Sequence, residues 1–90
     1  MTTKKQIYIH MKPSAIKKLV EEVDITALKK AEEAMLEEVE PVIEIEGEDE
    51  GEKLTHVLTS IWILEDMDKN KTDFRTSLRN YMGKVRKSIN

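Results

Sequence analysis

Hydrophobic and polar positions divide the chain into segments of two different periods. Gln6 to Met11 alternates with period two, setting Ile7, Ile9 and Met11 against Gln6, Tyr8 and His10, which predicts a half-buried strand. Pro13 stops it, and Ser14 stands where a helix N-cap is expected. Ile16, Leu19, Val20 and Val23 then take the spacing of an amphipathic helix. Ile25, Leu28, Met35, Leu36 and Val39 continue that spacing on a shifted register. Because the two apolar stripes do not line up, a break at Asp24 is expected, with Asp24 capping a second helix. Pro41 is expected to end it, since the residue before a proline is pushed out of the α region.

Val42 to Glu46 alternates again, with Ile43 and Ile45 inward. Gly47-Glu48-Asp49-Glu50-Gly51 has glycine at both ends, as a hairpin loop does. Lys53 to Leu64 fits both periods: Leu54, Val57, Leu58, Ile61 and Trp62 make a helical stripe, whereas Thr55, Val57, Thr59, Ile61 and Ile63 make a β-branched strand face. The loop before it and the β-branched density favour strand. Thr72 is expected to cap a last helix, with Asp73 in its first turn and Phe74, Leu78, Tyr81, Met82, Val85 and Ile89 on its apolar face. The order is β-α(α)-β-β-α. This predicts an α+β fold over residues 1–90, a single domain in which a small antiparallel sheet of about three strands (6–11, 42–46 and 53–63) packs with two or three helices near 14–39 and 73–88.

Ninety residues allow one domain, which buries roughly 60–65% of its unfolded surface. Pairing adds buried apolar area, so a homodimer is expected. Four aromatic residues exclude a base-stacking platform for single strands, and the lack of cysteine excludes disulfides, thiolate metal sites and a cysteine nucleophile. The apolar run Ile61–Leu64 is far short of the ~20 residues that span a membrane. The N-terminus lacks the apolar stretch of about 7–15 residues that a signal peptide needs, so a cytoplasmic protein is expected.

Charge changes the picture more than composition does. The formal net charge of -3 hides a partition. Residues 1–20 carry five lysines and no acid, and residues 69–90 carry seven bases and one acid. Residues 21–52 carry fourteen acids against two lysines. Such a block repels itself and destabilises a small fold. It is either a solvated face, a partner for the chain's own basic ends, or a surface for a basic protein. DNA presents one negative charge per ~1.7 Å of axis. At about 1.5 Å of rise per residue, the five acids from Glu32 to Glu40 cover roughly 12 Å of helix, and the following hairpin adds more. The residues expected to bind a partner are Glu33, Glu37 and Glu40 on a helix face, Glu44 and Glu46 on a strand face, and Glu48, Asp49 and Glu50 at the hairpin tip.

The short length, the lack of cysteine and the Glu-rich block at 21–52 resemble the small phage-encoded DNA-mimic proteins. That resemblance implies an inhibitor in the host cytoplasm that occupies the DNA-binding surface of a basic host protein, such as a histone-like nucleoid protein, a restriction enzyme or RNA polymerase. The basic C-terminal helix departs from it, because strong mimics are acidic throughout.

Catalytic and metal chemistry have little support in the residues. His10 and His56 lack zinc-ligand spacing, although His56 is placed to meet Glu44 or Glu46 across the hairpin. The Gly47–Gly51 loop lacks the twelve-residue calcium pattern, and no glycine-rich phosphate motif or nucleophile elbow is present. The expectation is a non-enzymatic protein with no cofactor and no metal. The alternative is a nucleic-acid-binding or regulatory module using Arg75, Arg79 and Arg86, which fall within about 40° of each other at 100° per residue and form a row able to track phosphates.

Overall fold

A computed structural model describes residues 11–89. The described chain forms four helices, α1 (Pro13–Glu22), α2 (Ile25–Leu36), α3 (Glu50–Asn70) and α4 (Phe74–Ile89), and no strand among the described residues. The expected α+β fold is therefore corrected to an all-helical one. The strand expected over 6–11 lies, apart from Met11, outside the described residues, and so does His10.

α1 begins two residues earlier than an N-cap at Ser14 would start it. Pro13 fixes the first helical φ and holds Lys12 extended (φ -104°, ψ 110°), so Lys12 becomes the N-cap and Ser14 lies inside the helix. The break at Asp24 is present. Val23 turns extended, and Asp24 Oδ1 accepts from the Ala27 amide at 2.8 Å to start α2. Pro41 does not end α2. Glu38 adopts a left-handed conformation (φ 60°), while the Val39 amide donates to the Ala34 carbonyl at 2.8 Å and the Glu38 amide to the Met35 carbonyl at 3.1 Å. This is a Schellman cap with glutamate where glycine is preferred. It reverses the chain early enough for Ile45 to be buried and Ile43 to pack beside it.

The two later strands are the substantive correction. Residues 53–63 belong to α3, which packs against α1, α2 and α4. A helix covered on several sides is buried around much of its circumference: His56, Val57, Thr59, Ser60, Ile61 and Ile63 are all inside. Its apolar residues therefore follow no single stripe, and period two fitted as well as 3.6. Its small hydroxyls are satisfied without a sheet, since Thr55 Oγ1 donates to the Gly51 carbonyl and Ser60 Oγ to that of His56, at 2.9 and 2.7 Å. The supposed hairpin loop is the helix start. Asp49 Oδ1 accepts from the Glu52 amide at 2.8 Å, and Glu52 Oε1 accepts from the Glu48 amide at 2.7 Å.

With no neighbouring strand, residues 42–46 form an irregular connection, bent at Val42 and Ile43, instead of a ladder. The alternation itself holds, because Ile45 is buried and Ile43 half-buried while Val42, Glu44 and Glu46 face out. Gly47 then lets the chain pass close to α3, where an added Cβ would lie 2.7 Å from Lys53 Cγ and 3.0 Å from its amide nitrogen.

Two apolar clusters result. Leu19, Leu28, Ala31, Ile45, Val57 and Ile61 form one. Met11, Ile16 and Ile63 form the other, ringed by residues that include Trp62, Phe74, Leu78 and Tyr81. Trp62 meets Tyr81 edge-to-face at 5.4 Å. Asp73, not Thr72, caps α4, with Oδ1 accepting from the Thr76 amide at 2.8 Å. Thr72 instead begins a relay: its hydroxyl donates to Ser77 Oγ at 2.5 Å, and Ser77 donates to Asp66 Oδ2 at 2.8 Å.

Candidate partner-binding surface

All eight acids expected to bind a partner are exposed: Glu33, Glu37, Glu40, Glu44, Glu46, Glu48, Asp49 and Glu50. Their local settings differ from the expected ones. Glu33 lies on α2, Glu37 is its C-cap, and Glu40 lies beyond the helix end, so these three do not share a helix face. Glu44 and Glu46 are both exposed on the connection. Asp49 and Glu50 are no hairpin tip; they are the N-cap and first residue of α3, where the helix dipole favours anions. The block thus runs along the end of α2, the connection and the start of α3. Among the described residues, only Glu46 of the eight has a base within ion-pair distance, Lys18 Nζ at 3.6 Å.

Aliphatic side chains lie exposed within the same stretch. Leu36 is 64% exposed, Val39 56% and Val42 102%. The sequence pattern hid Leu36 and Val39, because it put both on the apolar stripe of a helix reaching Val39, whereas Val42 falls on the outward side of its alternating segment.

His56 lies under this surface. Its ring is fully buried, with Nδ1 2.8 Å from the Glu46 carbonyl and Nε2 3.0 Å from the Lys12 amide. A carbonyl only accepts and an amide only donates. The ring is therefore neutral with its proton on Nδ1, and both nitrogens are used by backbone. The nearest carboxylate is Glu52 Oε2 at 4.0 Å, not Glu44 or the Glu46 side chain. His56 ties the chain before α1 and the acidic connection to α3. Among the described residues, no group of three or more histidines, cysteines or acids is placed to hold a metal ion.

Arg75, Arg79 and Arg86 are all exposed on α4. Arg75 borders an open groove of about 450 Å³ together with Lys17 of α1 and with Asp73. α4 packs against α3, and the other main helix contacts are those of α3 with α1 and α2. At the α3–α4 corner, hydrogen bonds from Ser77, Asn80 and Asn70, with Lys69 nearby, hold the Asp66 carboxyl below the usual range despite some desolvation. The Thr76 hydrogen bonds lower Asp73 in the same way. Asp66 therefore joins two helices and is fully committed to them.

These features define a small all-helical chain, built around one central helix, with an acidic and partly aliphatic face. The chain belongs to the Family of unknown function (DUF6952), whose model matches residues 11–90. No curated protein and no solved structure matches it. Among the described residues, no helix is long and apolar enough to cross a membrane.

Proposed function

We propose that this chain is a non-enzymatic cytoplasmic interaction protein that presents residues 33–50 to a basic, nucleic-acid-binding protein and competes there with nucleic acid. One observation carries the reading: eight exposed acids lie along contiguous chain, and only Glu46 among them is neutralised by a base of the described structure. Among the described residues of the basic ends, Lys18 alone comes within ion-pair distance of these eight acids. The homodimer belongs to the same proposal and must use another face, because two copies of the acidic face repel each other.

The test uses a purified histone-like nucleoid protein, immobilised, with duplex DNA as competitor. Retention of the chain should fall steeply with salt, since exposed charges are screened over about 8–10 Å at physiological ionic strength. Duplex should displace it. Glu37→Lys/Glu40→Lys/Glu44→Lys should abolish retention while leaving the fold intact, as surface changes usually move stability by only ~0.5 kcal/mol each. Retention unchanged in the triple variant overturns the proposal. A low-salt mobility shift of duplex by the chain itself, lost on replacing Arg75 and Arg79, would favour the phosphate-binding alternative.

A further inference from the structure

The acidic stretch is not a uniform charged surface. Between the end of α2, the connection that follows it and the start of α3 lies an open groove of about 600 Å³. Met35, Val39 and Ile43 contribute apolar surface to it, and Glu40, Glu44 and Glu50 stand among its polar lining. Four glutamates line it against one base, Lys53. Val39 is one of the three exposed aliphatics noted above, and Val42, also exposed, stands between the lining residues Pro41 and Ile43 at the edge of the groove.

Electrostatic attraction to a basic surface needs no aliphatic component, and exposed aliphatic patches mark interaction sites when they are rimmed by polar residues. Charge decides between occupants. A second copy in a two-fold pairing would bring Glu40, Glu44 and Glu50 against their own counterparts, which is repulsive. Nucleic acid is excluded by the same sign. A segment that offers lysine or arginine on one face and aliphatic side chains on the other satisfies both parts of the groove at once, in the manner of an amphipathic helix laid into a groove.

We propose that this groove takes a basic amphipathic segment of the partner protein, its aliphatic side chains against Met35, Val39 and Ile43 and its cations over Glu40, Glu44 and Glu50. The inference rests on the interaction reading above and narrows it from a charged surface to a groove that also selects for apolar side chains.

Two synthetic peptides of about 15 residues and equal charge test it: one of lysine and leucine, with leucine at i, i+3, i+4 and i+7, and one with every leucine replaced by serine. Each is titrated against the parent chain, Val39→Ser/Val42→Ser and Glu40→Lys/Glu44→Lys by fluorescence anisotropy, with circular dichroism to confirm that each variant is folded. The lysine–leucine peptide should bind the parent at least about tenfold tighter than the lysine–serine peptide. That advantage should vanish in the valine variant, and both peptides should release from the glutamate variant. Equal binding of the two peptides, or an advantage that survives in the valine variant, overturns the groove inference while leaving the acidic surface standing. Binding indifferent to the glutamate variant overturns both. Light scattering provides the last arm: self-association lost in the valine variant would show that a second copy covers the groove, which also overturns the inference.

Discussion

Replacing His56 with phenylalanine should cost a large share of the fold's stability, although the ring volume is nearly kept and the side chain it replaces is fully buried. The imidazole is fully buried and accepts one hydrogen bond from Lys12, 44 residues away in sequence, while donating another to Glu46, ten residues away. Phenylalanine makes neither bond. The Lys12 amide and the Glu46 carbonyl are then left beside an apolar ring. An unpaired buried group costs about 1–3 kcal/mol, and since both bonds are only part-buried the loss falls toward the lower end of roughly 2–6 kcal/mol in all. A chain of this length has on the order of 5–10 kcal/mol to lose. With a urea slope of about 1 kcal/mol/M, the midpoint should fall by about 2 M or more, followed by far-UV circular dichroism. Amide exchange at Lys12 should also accelerate relative to amides in the middle of α3. A midpoint shift equivalent to less than about 1 kcal/mol would refute the assignment of His56 as the tie between these segments. The consequence reaches the acidic surface, because Glu46 and the buried Ile45 beside it anchor the connection that carries Glu40 and Glu44.

Two further outcomes follow from the backbone and from the acid side chains. An added Cβ at Gly83 meets nothing within 4 Å, so Gly83→Ala should raise stability by about 0.5–1 kcal/mol, whereas Gly47→Ala forces Lys53 aside and should lower the thermal midpoint. Asp66 and Asp73 both have lowered native pKa values, so their contribution is fully present above the unfolded carboxylate value of about 4 and is lost as pH falls through the native one. Urea midpoints measured from pH 6 down to pH 3 should therefore decline on the acid side, and Asp66→Asn should flatten that decline; an identical pH profile in the variant would remove Asp66 from the α3–α4 corner.

The parts legible in the sequence were those with a one-sided environment. α1, α2 and α4 each turn one face to α3 and the other to water, so their stripes were visible, and Asp24 announced the corner between the first two. α3 failed because it is the central helix, and burial on several sides erases the stripe that marks a helix. The corrective signal was present at Asp49 and Glu52, an acid cap followed three residues later by glutamate, but the flanking glycines drew those residues into a hairpin. Once α3 is a helix, Val42–Glu46 has no strand to pair with, so the second error followed from the first. The exposure of all eight acids was legible from charge alone. The groove was not, since it depends on where α2 stops, and that is set by the left-handed Glu38 and not by Pro41.

The placement of charge relative to helix ends separates acids that serve the fold from acids that do not. α3 carries Glu50 and Glu52 in its first turn and Lys69 in its last, and α4 carries Arg86 and Lys87 in its last. Both suit the macrodipole. α1 and α2 have no acid in the first turn and no base in the last; α1 ends on Glu21 and Glu22, and α2 carries Glu32 and Glu33 near its end and Glu37 as its C-cap. Carboxylates at a helix C-terminus oppose the dipole by about 0.3–1 kcal/mol each, so the fold gives no reason for Glu37, whereas Asp49 is needed as a cap. Glu37→Lys should therefore raise stability by about 0.5–1 kcal/mol, by an amount that shrinks with salt, and should weaken binding to the basic partner. Asp49→Ala should lower stability by about 1 kcal/mol. Chemical unfolding of the two variants at low and high salt measures both effects. If Glu37→Lys is destabilising, Glu37 is a structural residue, and the acidic face loses the feature that most distinguishes it from a surface kept only for solubility.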